Sequence, residues 1–173
     1  MEIIRGGAAD APLILAMLDG AVAWLVRNGR PGQWGSEPWS ADPKRVERIT
    51  AIARDEDVWV ARVDGRPAGV MATGPAPPHY VSAADEPELY IGLLVTDREF
   101  AGHGVGSALI AHALDEARRL GVGLVRVDCY GGDDGRLVGY YRGNGFDPVR
   151  TFNVGEWPGQ LLSQRVDSPP ASA

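Results

Sequence analysis

Glu99-Phe100-Ala101-Gly102-His103-Gly104-Val105-Gly106-Ser107-Ala108-Leu109-Ile110 sets three alternating glycines between an apolar strand over 89–95 and an amphipathic helix. Glycine lets the main chain turn through positive φ and removes the β-carbon that would hold an anion away. At the mouth of a helix the first N–H groups have no carbonyl one turn back, and the helix dipole places partial positive charge behind them. The stretch therefore predicts a cradle for a diphosphate. Gly104 and Gly106 are the positions where a side chain is expected to obstruct it most. A tight packing turn between strand and helix would also ask for small residues, so the glycines alone do not decide the ligand.

Working outward, Leu109, Ile110, Ala113, Leu114, Ala117 and Leu120 recur at helical spacing, while Asp115, Glu116, Arg118 and Arg119 fall outside as i,i+3 or i,i+4 pairs. Gly121-Val122-Gly123 turns into a strand over 124–130, followed by a short helix over about 134–143 and a closing hairpin of 146–154 and 160–166. Upstream, 2–5 reads as a first strand. Asp10 is placed to cap a helix with Pro12 in its first turn and Ile14, Met17, Leu18, Ala21 and Leu25 on one face, ended by Asn28-Gly29. A loop over 30–42 precedes a second helix opened by Pro43, with Val46, Ile49 and Ile52 inward. Strands over 58–63 and 66–74 join at Asp64-Gly65, a pair that tolerates positive φ at both positions of a tight hairpin turn. After a polar connection over 75–87, the order βααβββαβαββ describes an α/β domain with a mixed sheet and helices on both faces. A single domain over 1–166 and a disordered tail over 167–173 are expected.

At 173 residues the chain is of ordinary domain size, able to bury roughly 70% of its unfolded surface. A net charge of −6 argues against a nucleic-acid surface. One cysteine, Cys129, rules out an internal disulfide, and three scattered histidines do not suggest a metal site. No apolar run is read as approaching the 18 residues of a membrane span, and the first residues lack the layout of a signal peptide. A cytoplasmic protein that does not engage membranes is expected.

About 35 residues beyond the glycines comes Tyr140-Tyr141-Arg142-Gly143-Asn144-Gly145-Phe146, preceded by Val125-Arg126-Val127-Asp128-Cys129. The two segments, in this order, resemble the GCN5-related N-acetyltransferase (GNAT) superfamily. Its members carry a Gln/Arg-x-x-Gly-x-Gly/Ala turn and a later aromatic-Tyr-x-x-x-Gly-Phe segment. The resemblance runs from Ile3 to about Val166, with specific motifs between Glu88 and Phe146. It departs from the pattern at Ala101, which stands in the Gln/Arg position, with Arg98 three residues earlier. Asp134 replaces a frequent Asn, and Thr96-Asp97 replaces a usual Pro.

The resemblance implies a mostly antiparallel central sheet of about seven strands with about four helices. It implies acetyl-CoA as co-substrate, without a metal. The diphosphate would lie on the backbone of Ala101, Gly102, His103, Gly104, Val105, Gly106 and Ser107, and the pantetheine arm along Leu94, Val95 and Thr96. Tyr141 maps onto the family's general acid, a phenol that is protonated at neutral pH and able to donate to a departing thiolate. Tyr140 is then expected to pack in the core. Glu88 takes the position of a frequent general base, with Glu86 and Asp128 as alternatives. His79 and His103 are minor candidates as relays, and Cys129 reads as a small core residue. Trp34 and Trp39, with Trp24 and Trp157, are candidates for an aromatic acceptor wall.

The implied reaction is direct acetyl transfer to a primary amine of a small molecule or peptide. A non-catalytic acyl-CoA sensor of the same fold is the alternative, and the resemblance makes a homodimer plausible. A nucleotide-dependent oxidoreductase fits poorly, because its glycine turn follows an early strand. A P-loop is excluded by the missing Gly-Lys-Ser/Thr ending.

Overall fold

In the computed structural model, which describes residues 1–167, strand β1 (Glu2–Arg5) leads through a short 3-10 turn (Ala8–Asp10) into helix α1 (Ala11–Arg27). Helix α2 (Pro43–Asp55), β2 (Asp57–Val63), β3 (Arg66–Gly74), β4 (Leu89–Thr96) and helix α3 (Val105–Leu120) follow. The chain then forms β5 (Leu124–Tyr130), α4 (Arg136–Gly143), β6 (Asp147–Val154) and β7 (Trp157–Arg165). This is the expected element order. The seven strands are hydrogen-bonded in the order β1-β2-β3-β4-β5-β7-β6. β4 and β5 run parallel, whereas β1–β2, β2–β3, β5–β7 and β6–β7 are antiparallel, so the sheet is mixed as expected. The tail expected over 167–173 lies, from residue 168 on, outside the described residues.

The described residues fall into two compact units: Met1–Thr73 with Leu93–Leu109, and Gly74–Gly92 with the described chain from Ile110 to Asp167. β4 and α3 each contribute to both.

In the first unit, Ile14, Leu18 and Val22 of α1 pack with Ile49 and Ala53 of α2 and with Val58, Val60, Val70 and Val95. Asp42 caps α2 as its sequence position suggests, accepting from the Lys44 N–H at 2.9 Å. Asp10 does not cap α1. Its carboxylate turns back to the Gly7 N–H at 2.8 Å and closes the preceding 3-10 turn. The segment Ala8–Arg27 is also more apolar than the sequence reading allowed. With a mean hydropathy of 1.6 in its most apolar window, it is long and apolar enough to cross a membrane by length and composition. Its fully buried Ile14 and Leu18 show a core-helix use for that character. Asp64 and Gly65 take φ of 49° and 76°, the positive values that the β2–β3 turn requires.

Gly69 determines how α3 begins. A β-carbon on Gly69 would lie 2.7 Å from Val105 Cγ1 and 3.2 Å from the Val95 carbonyl oxygen. Its absence lets the first residue of α3 settle on β3, and this seats the glycine turn.

In the second unit, β5, β7 and β6 form three adjacent antiparallel strands. Arg118 pairs with Asp115 and Arg119 with Glu116 on the outer side of α3, both i,i+3. Leu120, expected on the inner face, is exposed at the helix end. α4 starts two residues later than the sequence suggested. Asp133, Asp134 and Gly135 take φ of 54°, 59° and 72°, a left-handed run that a right-handed helix cannot include. β7 begins at Trp157, three residues earlier than expected, because the β6–β7 turn is as short as Gly155-Glu156.

Candidate active site

The glycine turn is held from its N-terminal side. The Asp97 N–H donates to the Ala68 carbonyl at 2.8 Å, and the Asp97 carboxylate accepts from the Glu99 N–H at 2.9 Å. Arg98, the displaced basic residue of the motif, lays its guanidinium 3.8 Å from the Trp24 ring centroid. Arg66 pairs with Glu99 at 2.6 Å and lies over the buried Phe100 ring.

Beyond this anchor, Ala101, Gly102, His103 and Gly104 are exposed. Gly102 and Gly104 take φ of 83° and 71°, and a β-carbon at either would meet nothing within 4 Å. The first helical hydrogen bond runs from the Ala108 N–H to the Gly104 carbonyl at 3.0 Å. The N–H groups of Val105, Gly106 and Ser107 therefore precede any intrahelical acceptor. Positive φ ties Gly104 to its place, as it does Gly102. Gly106 lies inside α3 and is buried, so its requirement has a different origin. The His103 imidazole Nδ1 sits 3.1 Å from the Phe100 carbonyl, with the ring edge-on to Phe100, which ties it to the turn.

β4 changes character midway. Leu89, Tyr90 and Ile91 are buried and in register with Val125, Arg126 and Val127 of β5. Gly92 is then exposed, Leu93, Leu94 and Thr96 are half-buried, and Val95 returns to the core.

The loop tryptophans act as anchors. Trp39 joins the core of the first unit, donates from Nε1 to the Trp34 carbonyl at 3.1 Å and lies under the Arg45 guanidinium. Trp39, expected in the acceptor wall, is thus buried. Trp34 packs half-buried against the same core. Trp24 stacks with Arg98, while Trp157 belongs to the second unit, where it meets Tyr130 and Phe152.

In the second unit, α4 presents Tyr141 to the core at 5% exposure, edge-on to Phe146, while Tyr140 is 38% exposed. The expectation that Tyr140 packs in the core is reversed. Neighbours on a helix point about 100° apart, so only one of the two can face inward. Burial raises the Tyr141 pKa well above the ordinary phenol value, and the nearby Cys129, Tyr140 and Asp128 push it the same way. Burial and Asp128 push the Cys129 thiol up to about 12, which suits the core role expected of it.

Three carboxylates were candidates for the base. Glu88 is buried and takes a two-pronged ion pair from Arg126, with Nε–Oε2 at 2.7 Å and Nη2–Oε1 at 2.9 Å. Arg126 also donates to the Ser82 carbonyl at 2.9 Å. Both carboxylate oxygens of Glu88 are thus engaged by one guanidinium, the geometry of a structural ion pair. Glu86 is paired with Arg165 at 2.6 Å. Asp128 accepts from two phenols, Tyr90 at 2.5 Å and Tyr80 at 3.3 Å. Both of these donors are neutral hydroxyls. Burial and the adjacent Asp128 hold the Tyr90 pKa far above its ordinary value, so it remains a donor. Sequence reasoning missed Tyr80, Tyr90 and Arg126. The signal available was a charged pair, Arg126 and Asp128, on alternate positions of an otherwise apolar strand.

The profile of the acetyltransferase (GNAT) family matches residues 21–146. The chain belongs to the GNAT acetyltransferase family. That family carries out acetyl-CoA-dependent acetyl transfer. Among curated proteins none matches the sequence. Solved GNAT structures share the fold across nearly the whole chain. The ribosomal-protein-alanine N-acetyltransferase of Brucella melitensis is 22% identical with a TM-score of 0.66, over 96% of this chain and 100% of that one. The protein yncA of Salmonella typhimurium, solved with its cofactor acetyl-CoA, is 17% identical with a TM-score of 0.64, over 98% and 96%. The ribosomal-protein-S18-alanine N-acetyltransferase of Escherichia coli is 13% identical with a TM-score of 0.68, over 99% and 97%.

Proposed function

We propose that this GNAT member is an N-acetyltransferase that moves the acetyl group of acetyl-CoA directly to a primary amine of a small molecule or peptide, with both substrates bound together. The observation that carries the reading is Tyr141, at the motif position of the acid and kept protonated by its burial. The co-substrate fits the glycine turn: open space at Gly102 and Gly104 admits phosphate oxygens, and the first-turn amides of α3 supply donors. Leu94, Val95 and Thr96 would line the pantetheine arm through their main chain, in the manner of an added strand.

Acetyl-CoA supplies an activated acyl carbon. The amine nitrogen adds to that carbon, the carbon–sulfur bond then breaks, the Tyr141 hydroxyl gives its proton to the departing sulfur, and the second proton shed by the nitrogen restores that phenol, directly or through water. The proton that the ammonium must lose goes to a carboxylate, directly or through water. Of the three considered, we assign this to Asp128, which lies half-buried on β5 and accepts from the Tyr90 and Tyr80 hydroxyls. The neighbours that act on ribosomal-protein alanines keep a peptide acceptor within the reading.

The test is release of free CoA thiol against a panel of amines. Turnover with at least one is expected, and tight acetyl-CoA binding without any turnover would make the chain an acyl-CoA sensor.

A further inference from the structure

Tyr130, Gly159 and Phe152 stand in one row across β5, β7 and β6, and residues opposite one another in a sheet share a face. The middle of that row has no side chain. A β-carbon on Gly159 would lie 2.4–2.9 Å from three atoms of the Phe152 ring, so the ring lies across the glycine. Gly132 does the same for Tyr130, whose Cζ and Oη would be 2.3 Å from a β-carbon there. Trp157, two residues before Gly159, meets Tyr130 and Phe152 at ring separations of 5.9 and 6.4 Å. Tyr80 stacks on Phe152 at 5.7 Å.

The four rings are half-buried, although the same face fully buries Tyr90 and Leu161 beneath them. Asp128 is two residues before Tyr130 on β5, on the same face, and the hydroxyl of Tyr80 donates to it. A continuous run of partly exposed rings thus borders one carboxylate, and two glycines keep the rings flat against the strands.

We propose that this face binds the acetyl acceptor, and that the acceptor is a cationic primary amine carrying an aromatic or similarly flat apolar group. Asp128 complements the ammonium, and Phe152 and Trp157 receive the ring, as offset or edge-on aromatic pairs do. The cation is also favoured by the faces of the surrounding rings. The inference rests on the acetyl-transfer reading and narrows its substrate. A peptide N-terminus shares the ammonium but carries a polar amide where the flat apolar group should be.

The experiment compares kcat/KM for phenethylamine, n-butylamine and an alanine-initiated tripeptide, in the native chain and in Trp157→Ala and Phe152→Leu. Calorimetry with CoA first establishes that each variant is folded, and phenethylamine is then titrated into the CoA-loaded protein. Phenethylamine is expected to exceed n-butylamine by about thirtyfold, the selectivity that burying a phenyl ring produces. In either variant the ratio should fall below about threefold as the ring loses its partner. Equal use of the two amines, or preference for the tripeptide, would overturn the assignment while leaving acetyl transfer intact. If no amine turns over, acetyl transfer fails, and the titrations alone decide the site. Binding of phenethylamine weakened by either substitution upholds it, and binding unaffected or absent overturns it.

Discussion

Replacing Glu88 by Gln tests whether the buried carboxylate is a catalyst or a structural counter-ion. Glu88 and Arg126 are 6% and 8% exposed, and two parallel hydrogen bonds of 2.7 and 2.9 Å join them. Glutamine keeps the shape but carries no charge, and one of its two acceptors becomes an amide donor facing a guanidinium donor. Arg126 is then a buried cation without an anion, a change that costs about 3–5 kcal/mol. At 2–4 °C per kcal/mol for a chain of this size, the thermal midpoint should fall by roughly 6–20 °C. Urea unfolding followed by circular dichroism gives the same quantity as a free energy. The double variant Glu88→Met with Arg126→Met should recover most of the loss, because neither charge then needs a partner. At a temperature where Glu88→Gln is fully folded, its kcat should stay within about threefold of the native value, against the 10²-fold or greater loss expected on removing a general base. An unchanged midpoint combined with such a collapse of kcat would refute the structural assignment and return Glu88 to the reaction.

Tyr141→Phe should lower kcat by about 10² or more while leaving the acetyl-CoA Kd near its native value, because the hydroxyl acts on the leaving group. Unchanged kcat would remove Tyr141 from the mechanism. Burial raises the Tyr141 pKa, so the phenol is still protonated above pH 10 in the folded chain. The pH profile of kcat should therefore show no descending limb near 10, and a limb there that vanishes in Tyr141→Phe would mark an unperturbed phenol. Gly104→Val forces a β-branched residue to φ of 71°, a strain of about 1–2 kcal/mol. It should weaken acetyl-CoA binding by about tenfold, and normal affinity by calorimetry would move the cradle elsewhere. Cys129, with its thiol pushed from 9.0 up to about 12, should resist a disulfide reagent at pH 8 until urea exposes it. Because its folded pKa lies above its unfolded one, its contribution to stability is full below pH 9 and declines as pH rises toward 12. Rapid labelling of the native protein would contradict that burial.

What the sequence made legible was local. The Asp64-Gly65 turn and the glycines after β4 announce themselves because a positive φ is a property of one residue, and 71° at Gly104 needs no distant partner. The apolar periodicities of α1 and α3 are local too, since they follow from the pitch of the helix. The choice between Tyr140 and Tyr141 was half legible. Motif spacing picked out Tyr141, but the inward side of α4 is decided by what it packs on, and Phe146 lies beyond the helix end.

The role of a carboxylate is legible only through its neighbour, and that neighbour is set by strand register. Tyr90 faces Arg126 because β4 runs beside β5 in one alignment, and the same alignment brings Glu88 to a guanidinium 38 residues away. Sliding that pairing by one residue would turn the charged side chains of β5 to the opposite face. No local pattern in either strand records which alignment holds. Three carboxylates that look alike in sequence thus receive different chemistry from the sheet. Glu88 is held by Arg126, Glu86 is paired at the surface with Arg165, and Asp128 accepts from the hydroxyls of Tyr90 and Tyr80.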